Sequence, residues 1–293
     1  MKKENKKTRR IEPLVAKYIN DFRIGSHRSL RRGWGGDFDA VQPWQAGDRR
    51  VHMPATARTG EVQAKVFQEP KQLSIWVLVD VSRSMSFGAE MAKNEATVVL
   101  LACLEMSANK VGDLLGLMVF TDNIIRINQP AQNAAVAKEM AKLIFDCEIP
   151  VAETSLLLPL ERLIYTGVNH SLVVIISDFF FSLGEKEMGL MRQLSASPGV
   201  VVLSLVLCDH QEASHPLHGF LADTHDAEND RSLTWDLSSG ALAKAEAKQF
   251  DQWQKDIAIQ LRQANSECVF LDISDNFVRR LARYFVKKQQ YAV

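Results

Sequence analysis

The stretch Leu73-Ser74-Ile75-Trp76-Val77-Leu78-Val79-Asp80-Val81-Ser82-Arg83-Ser84-Met85 decides how this chain is read. An apolar run of strand length stops abruptly at a carboxylate, and two hydroxyls follow at alternate positions. Such a run reads as a buried strand that empties into a loop whose oxygens face one way. A carboxylate with two hydroxyls is a poor nucleophile set but a good cradle for a hard cation. Mg²⁺ takes oxygen ligands in near-octahedral geometry and keeps several waters. The D-x-S-x-S turn offers three oxygens and leaves positions open for water and for a ligand.

Working outward, the same texture repeats. A helix is expected over about 89–109, with an apolar stripe at Ala92, Ala96, Val99, Leu100 and Cys103. Leu114–Thr121 reads as the second strand, with Ile124–Ile127 as a short antiparallel partner. Helices are expected near 132–145 and 156–166, on either side of the loop Glu153-Thr154-Ser155. Ser171–Ser177 is a fully apolar strand that ends at Asp178. A helix over 184–196 and a buried strand over Val200–Leu207 follow. A long helix over 240–264, a strand at Glu267–Leu271 and a basic-faced helix at Asn276–Lys287 complete the series.

Short apolar strands alternating with helices define an α/β class: a doubly wound, mostly parallel sheet with helices on both faces. In such sheets ligands gather at the carboxyl ends of strands, where Asp80 and Asp178 both fall. The expected division is a basic tail and accessory segment over residues 1–70, then the α/β domain over 71–293. Within the first part, Ile11–Ile24 carries a weak helical pattern, and 38–70 reads as irregular structure with short strands.

Composition bounds the function. The 293 residues are 46% hydrophobic and 24% charged, with zero formal net charge. Residues 1–36 hold eleven Lys/Arg against Glu4, Glu12 and Asp21, a net of +8, so the remainder carries −8. The cluster Arg23, Arg28, Arg31, Arg32 beside Trp34 could touch phosphates. Basic tails are more often solvated or bound to acidic proteins, so nucleic acid is not an expected partner. Cys103, Cys208 and Cys268 sit in apolar patterns, and neither they nor Cys147 form a C-x-x-C pair. They read as reduced thiols. No apolar stretch approaches the roughly 20 residues that span a bilayer, and no apolar core follows the basic N-terminus. A cytoplasmic protein is expected. His210, His215, His218 and His225, among Asp209, Asp223 and Asp226, fit no closed zinc spacing and read as a solvated loop.

Asp80, Ser82 and Ser84, with Thr154 in a loop before a helix and Asp178 after another strand, together resemble the metal-dependent adhesion site of the von Willebrand factor A domain. The first three match that family's opening motif, Thr154 (with Ser155 as a substitute) its threonine motif, and Asp178 its distal aspartate. The resemblance implies a Mg²⁺ or Mn²⁺ held directly by the serines and threonine, with the aspartates acting largely through water. The last coordination position would take an Asp or Glu carboxylate from a protein partner. On this reading the dication would keep positive character and attract such a ligand.

The segment Gly35-Gly36-Asp37-Phe38, then Gly47-Asp48-Arg49-Arg50 and Ala57-Arg58, resembles the bacterial "domain of unknown function 58" family over roughly residues 30–290. That family usually carries an Ile-Asp-Trp triplet after the Gly-Asp turn, where this chain has Val51-His52-Met53-Pro54. Many members also carry transmembrane helices. Family members tend to be encoded near MoxR-type AAA+ ATPases, which implies an adaptor or chaperone accessory that helps such an ATPase act on a client.

Catalysis is the rival class. A haloacid-dehalogenase-type phosphatase needs a second carboxylate two residues after the strand-one aspartate, and Ser82 stands there. A serine is no general acid near neutral pH. No G-x-S-x-G elbow and no G-x-x-x-x-G-K-[ST] loop occurs. A non-catalytic, metal-dependent recognition module is the expected function, with a metal-dependent phosphoester hydrolase and a metal-free scaffold as alternatives.

Overall fold

The run that opens the sequence argument is the central strand of the sheet. The computed structural model describes residues 40–43, 53–66, 72–88, 91–146, 153–209, 221–225, 232–236 and 240–290. In chain order the elements begin with β1 (Ala40–Pro43), α1 (Met53–Thr59), β2 (Gln63–Val66) and β3 (Ser74–Asp80). They continue through α2 (Lys93–Val111), β4 (Leu114–Phe120), β5 (Ile124–Ala131), α3 (Val136–Asp146), α4 (Leu157–Tyr165), β6 (Ser171–Ser177) and α5 (Glu185–Ala196). The last are β7 (Val201–Cys208), β8 (Leu221–His225), β9 (Ser232–Asp236), α6 (Gly240–Gln263), β10 (Glu267–Asp272) and α7 (Phe277–Gln290).

The main sheet has six strands in the order β10-β7-β6-β3-β4-β5. All neighbours are parallel except the β4–β5 pair. β3, β6 and β7 are buried and predominantly apolar because both faces of a parallel sheet are covered. One face carries α2, α3 and α7, whose Leu100, Leu104, Met140, Phe277 and Leu281 pack on Ile75, Val77 and Val79. The other carries α4, α5 and α6, whose Leu160, Met191 and Leu261 pack around Trp76 and Leu78. From β3 the chain winds outward through β4 to β5, returns, and winds the other way through β6, β7 and β10. The direction reverses between β3 and β6, and the crevice at that switch point lies beyond their carboxyl ends.

The expected α/β doubly wound class is the observed one, with adjustments at particular elements. The second helix starts at Lys93, not near Ala89: Ala92 is extended (ψ 146°), and the Lys93 N–H donates to Phe87 O (3.0 Å). The segment 38–70, expected as irregular structure with short strands, also contains the helix α1. Pro54 is no obstacle in its first turn, where the backbone N–H has no intrahelical partner. The stretch read as a solvated loop holds an antiparallel hairpin, with Leu221 opposite Asp236 and His225 opposite Ser232. His210, His215, His218 and Asp226, Cys147, and the helix expected over Ile11–Ile24 lie outside the described residues. Among the described residues no helix is long and apolar enough to cross a membrane, and Cys103 and Cys268 are free thiols.

β5 runs four residues beyond its expected end, and its ladder with β4 shifts register between Leu115 and Leu117. Pro130, which has no N–H to give, lies at that shift on an edge strand, where proline is tolerated. A Cβ on Gly116 would sit 2.9 Å from the Pro130 ring. Neither the ring nor the backbone can yield, so Gly116→Ala is expected to cost about 1–3 kcal/mol. A urea melt that showed no loss would mean the edge strand shifts freely.

Candidate cation site

The site is built where β3, β4 and β6 end side by side. Asp80 closes β3, fully buried, and each of its carboxylate oxygens accepts a hydrogen bond. Oδ1 accepts from the Ser82 backbone N–H (2.7 Å), and Oδ2 accepts from Ser177 Oγ (2.6 Å) at the end of β6. Burial, and then the negative charge of Asp178, push its carboxyl up from 3.8 to about 7, while the bonds from Ser177 and Ser82 pull the other way.

After Asp80 the chain turns through a 3₁₀ segment, Arg83–Ser86. Met85 is fully buried and anchors that turn, and its N–H donates to Ser82 O. Ser82 Oγ and Ser84 Oγ are thereby brought within 3.0 Å of each other. Only glycine fits at position 88, where φ is 155° and a Cβ would lie 2.0 Å from Met91 O.

Asp178 follows β6 and is 1% exposed. Its Oδ1 accepts from the Phe180 N–H (3.3 Å), and its Oδ2 lies 3.1 Å from Lys93 Nζ. Phe179 takes a left-handed φ of 52°, which a bulky residue rarely adopts. The turn is held from both sides: Phe179 N–H donates to Ser177 Oγ (2.9 Å), and Trp253 Nε1–H on α6 donates to Phe179 O (3.4 Å). Phe180 stacks on Trp253 with ring centroids 4.7 Å apart.

Thr154 sits in the loop ahead of α4. The adjoining Ser155 fixes that loop, its N–H donating to Thr121 O (3.0 Å) just beyond β4. Ser155 Oγ donates to Glu187 Oε1 (3.0 Å) and accepts from the Leu157 N–H (3.2 Å). Glu187 in turn accepts from the Gly184 N–H at the start of α5. The Ser155 hydroxyl is thus committed to the loop. The Thr154 hydroxyl is buried and has no hydrogen-bond partner. Buried polar atoms are rarely left so, and an unmet hard oxygen of this kind is one that a dication could satisfy. Among the described residues no group of three or more His, Cys, Asp or Glu is gathered to hold a metal. The hydroxyls of Ser82, Ser84 and Thr154 and the carboxylates of Asp80 and Asp178, all beyond the ends of neighbouring strands, offer oxygens of the kind that could hold one.

Two neighbours were not anticipated. Ser177 read only as the last residue of a strand. Lys93, 1% exposed, stands on the stripe 93, 96, 97, 100 and 104, all of it buried. A lysine in register with a buried apolar stripe was the signal available for it.

With the geometry in place, comparison with known proteins gives the family. The chain belongs to the family described as "Protein of unknown function DUF58", which matches residues 40–255. That match runs through the boundary expected at residues 70 and 71. The uncharacterised proteins Rv1480 of Mycobacterium tuberculosis (strain ATCC 25618 / H37Rv) and Mb1516 of Mycobacterium bovis are each 27% identical over 114 residues. That region is 38% of this chain and 36% of theirs, so the alignment spans about a third of the relatives' length. Among solved structures, the conserved hypothetical protein BatB of Bacteroides thetaiotaomicron is 17% identical, covering 74% of this chain and 99% of its own, at a TM-score of 0.47. An aerotolerance-related membrane protein of Bacteroides fragilis aligns with the same identity and coverage at 0.44.

Proposed function

We propose that the cleft between β3 and β6 is a metal-dependent adhesion site of the von Willebrand factor A type. On this reading it binds Mg²⁺ or Mn²⁺ and, through the metal, an Asp or Glu carboxylate of a protein partner, without catalysis. The observation that supports the reading is the buried Thr154 hydroxyl left without a partner, in a loop tied through Ser155 to the end of β4, while the Ser82–Ser84 hydroxyl pair follows the adjacent β3 at a sheet switch point. The metal, once bound, supplies a fixed positive charge. The serines and threonine offer neutral oxygens, so the groups that would ligate the metal directly cancel none of that charge.

Catalysis finds less support. A metallohydrolase needs a base free to reach a metal-bound water. Asp80 has its oxygens engaged by Ser82 and Ser177, and Asp178 has its oxygens engaged by Phe180 N–H and Lys93. The family resemblance favours a MoxR-type AAA+ ATPase or its client as the partner, in the cytoplasm, as an adaptor's role would require.

The test has two parts. Calorimetry should show Mn²⁺ binding by the native chain and at least a hundredfold weaker binding by Ser82→Ala/Ser84→Ala. A purified MoxR-type ATPase should then co-elute with the native chain in Mg²⁺ and separate from it in EDTA. Retention of the ATPase in EDTA, or equal retention by the double variant, would refute metal-dependent recognition.

A further inference from the structure

Lys93 is a buried cation in a place that ordinarily repels one. It is the first residue of α2, where the helix dipole is positive and disfavours an ammonium. It is also among the largest fully buried side chains, and taking a charge out of water is expensive. What it meets there is Asp178 Oδ2 at 3.1 Å and the face of Phe180, whose ring centroid is 4.7 Å from Nζ. Phe180 is in turn backed by Trp253. The ammonium is therefore fixed against one of the two carboxylates on which the proposed site relies.

We infer that Lys93 divides the work of the site between the metal and the partner. This inference rests on the metal-site reading above. Two carboxylates would neutralise a bound dication, leaving it little reason to seek a third. Lys93 answers Asp178 internally, so the loaded site keeps one positive charge that only an incoming carboxylate removes. The same charge repels the dication when it arrives alone. Metal and carboxylate thus bind cooperatively, and because coupling between ligands is reciprocal, each tightens the other by the same factor. Lys93 is in this sense a positioning and affinity-setting residue, not a ligand.

The probe pair is Mn²⁺ and acetate, followed by calorimetry and by the electron paramagnetic resonance signal of free Mn²⁺. The native chain should bind Mn²⁺ weakly alone and several-fold more tightly in acetate. Lys93→Met should bind Mn²⁺ alone at least tenfold more tightly than the native chain, and acetate should add little. If Lys93→Met does not fold, because Asp178 is left buried and unanswered, Lys93→Gln decides, since its neutral amide keeps a hydrogen-bond donor on that side chain without the charge. It should likewise bind Mn²⁺ alone at least tenfold more tightly than the native chain, with acetate adding little. Equal or weaker Mn²⁺ binding by Lys93→Met, or by folded Lys93→Gln, overturns the role of Lys93 while leaving the metal site standing. If neither the native chain nor Lys93→Met binds Mn²⁺, both the site and this inference fall together.

Discussion

Thr154→Val is expected to bind Mn²⁺ about a hundredfold more weakly than the native chain, yet to melt at an equal or higher temperature in EDTA. The two effects come from one atom. Thr154 Oγ1 is buried and unpartnered, and a buried hydroxyl without a hydrogen bond costs about 1–3 kcal/mol in the metal-free fold. Valine has nearly the same shape and no such demand, so the metal-free protein gains roughly 1 kcal/mol or stays level. Removing one oxygen from a hard cation's shell works the other way, and a hundredfold loss corresponds to about 2.7 kcal/mol. The opposition of signs is what makes the measurement decisive. Were the hydroxyl merely structural, its removal would lower the melting temperature and leave Mn²⁺ binding alone. That pair of results, from scanning calorimetry in EDTA and Mn²⁺ titration, would remove Thr154 from the site. Thr154→Ser provides the control, since it keeps the oxygen and should keep the affinity within a few-fold.

How much of this was legible in the sequence differs from element to element, and for physical reasons. β3, β6 and β7 were read nearly to the residue because a parallel strand covered on both faces is predominantly apolar. The same rule placed Asp80 and Asp178 at strand ends, and the structure sets them at neighbouring ones. The hairpin of β8 and β9 escaped because Asp223, Thr224 and His225, with Ser232 and Thr234, give it the polar texture of a loop. A short strand's preference depends on its neighbours more than on its own composition. The true start of α2 was hidden too. Its apolar stripe extends back to Ala92, but Ala92 is extended and the Lys93 N–H bonds to Phe87 O, so the helix begins one residue later. Lys93 shows the limit most clearly. Sequence spacing says that position 93 faces the core, but the reason a lysine can stand there is Asp178, 85 residues away and brought close only by the sheet order.

Asp80→Asn is expected to stabilise the metal-free protein at pH 8 by about 2 kcal/mol or more, and to abolish its response to Mn²⁺. In the unfolded chain this carboxyl titrates near 3.8, and in the fold near 7, raised first by burial and then by Asp178. Between those values the folded state holds a proton that the unfolded state has released. Asp80's contribution to stability is therefore fully present below about pH 4, declines as the pH rises to about 7, and is flat beyond. Above pH 7 the metal-free native protein keeps an ionised carboxylate buried beside a second one, and Lys93 is paired with that second one. Asparagine removes the charge while its carbonyl still accepts from the Ser82 N–H and its amide can donate to Ser177 Oγ. In EDTA the variant's advantage should be largest at pH 8 and shrink toward pH 4. Saturating Mn²⁺ should reverse the order at pH 8, because a ligand that binds only the folded state raises stability in proportion to the logarithm of its concentration over its dissociation constant. Thermal melts at pH 5 and pH 8, each with EDTA and with Mn²⁺, give all four corners. An Asp80→Asn variant less stable than the native chain at pH 8 in EDTA would mean that the carboxylate holds the loop together by itself, and the strained charge that invites a metal would not exist.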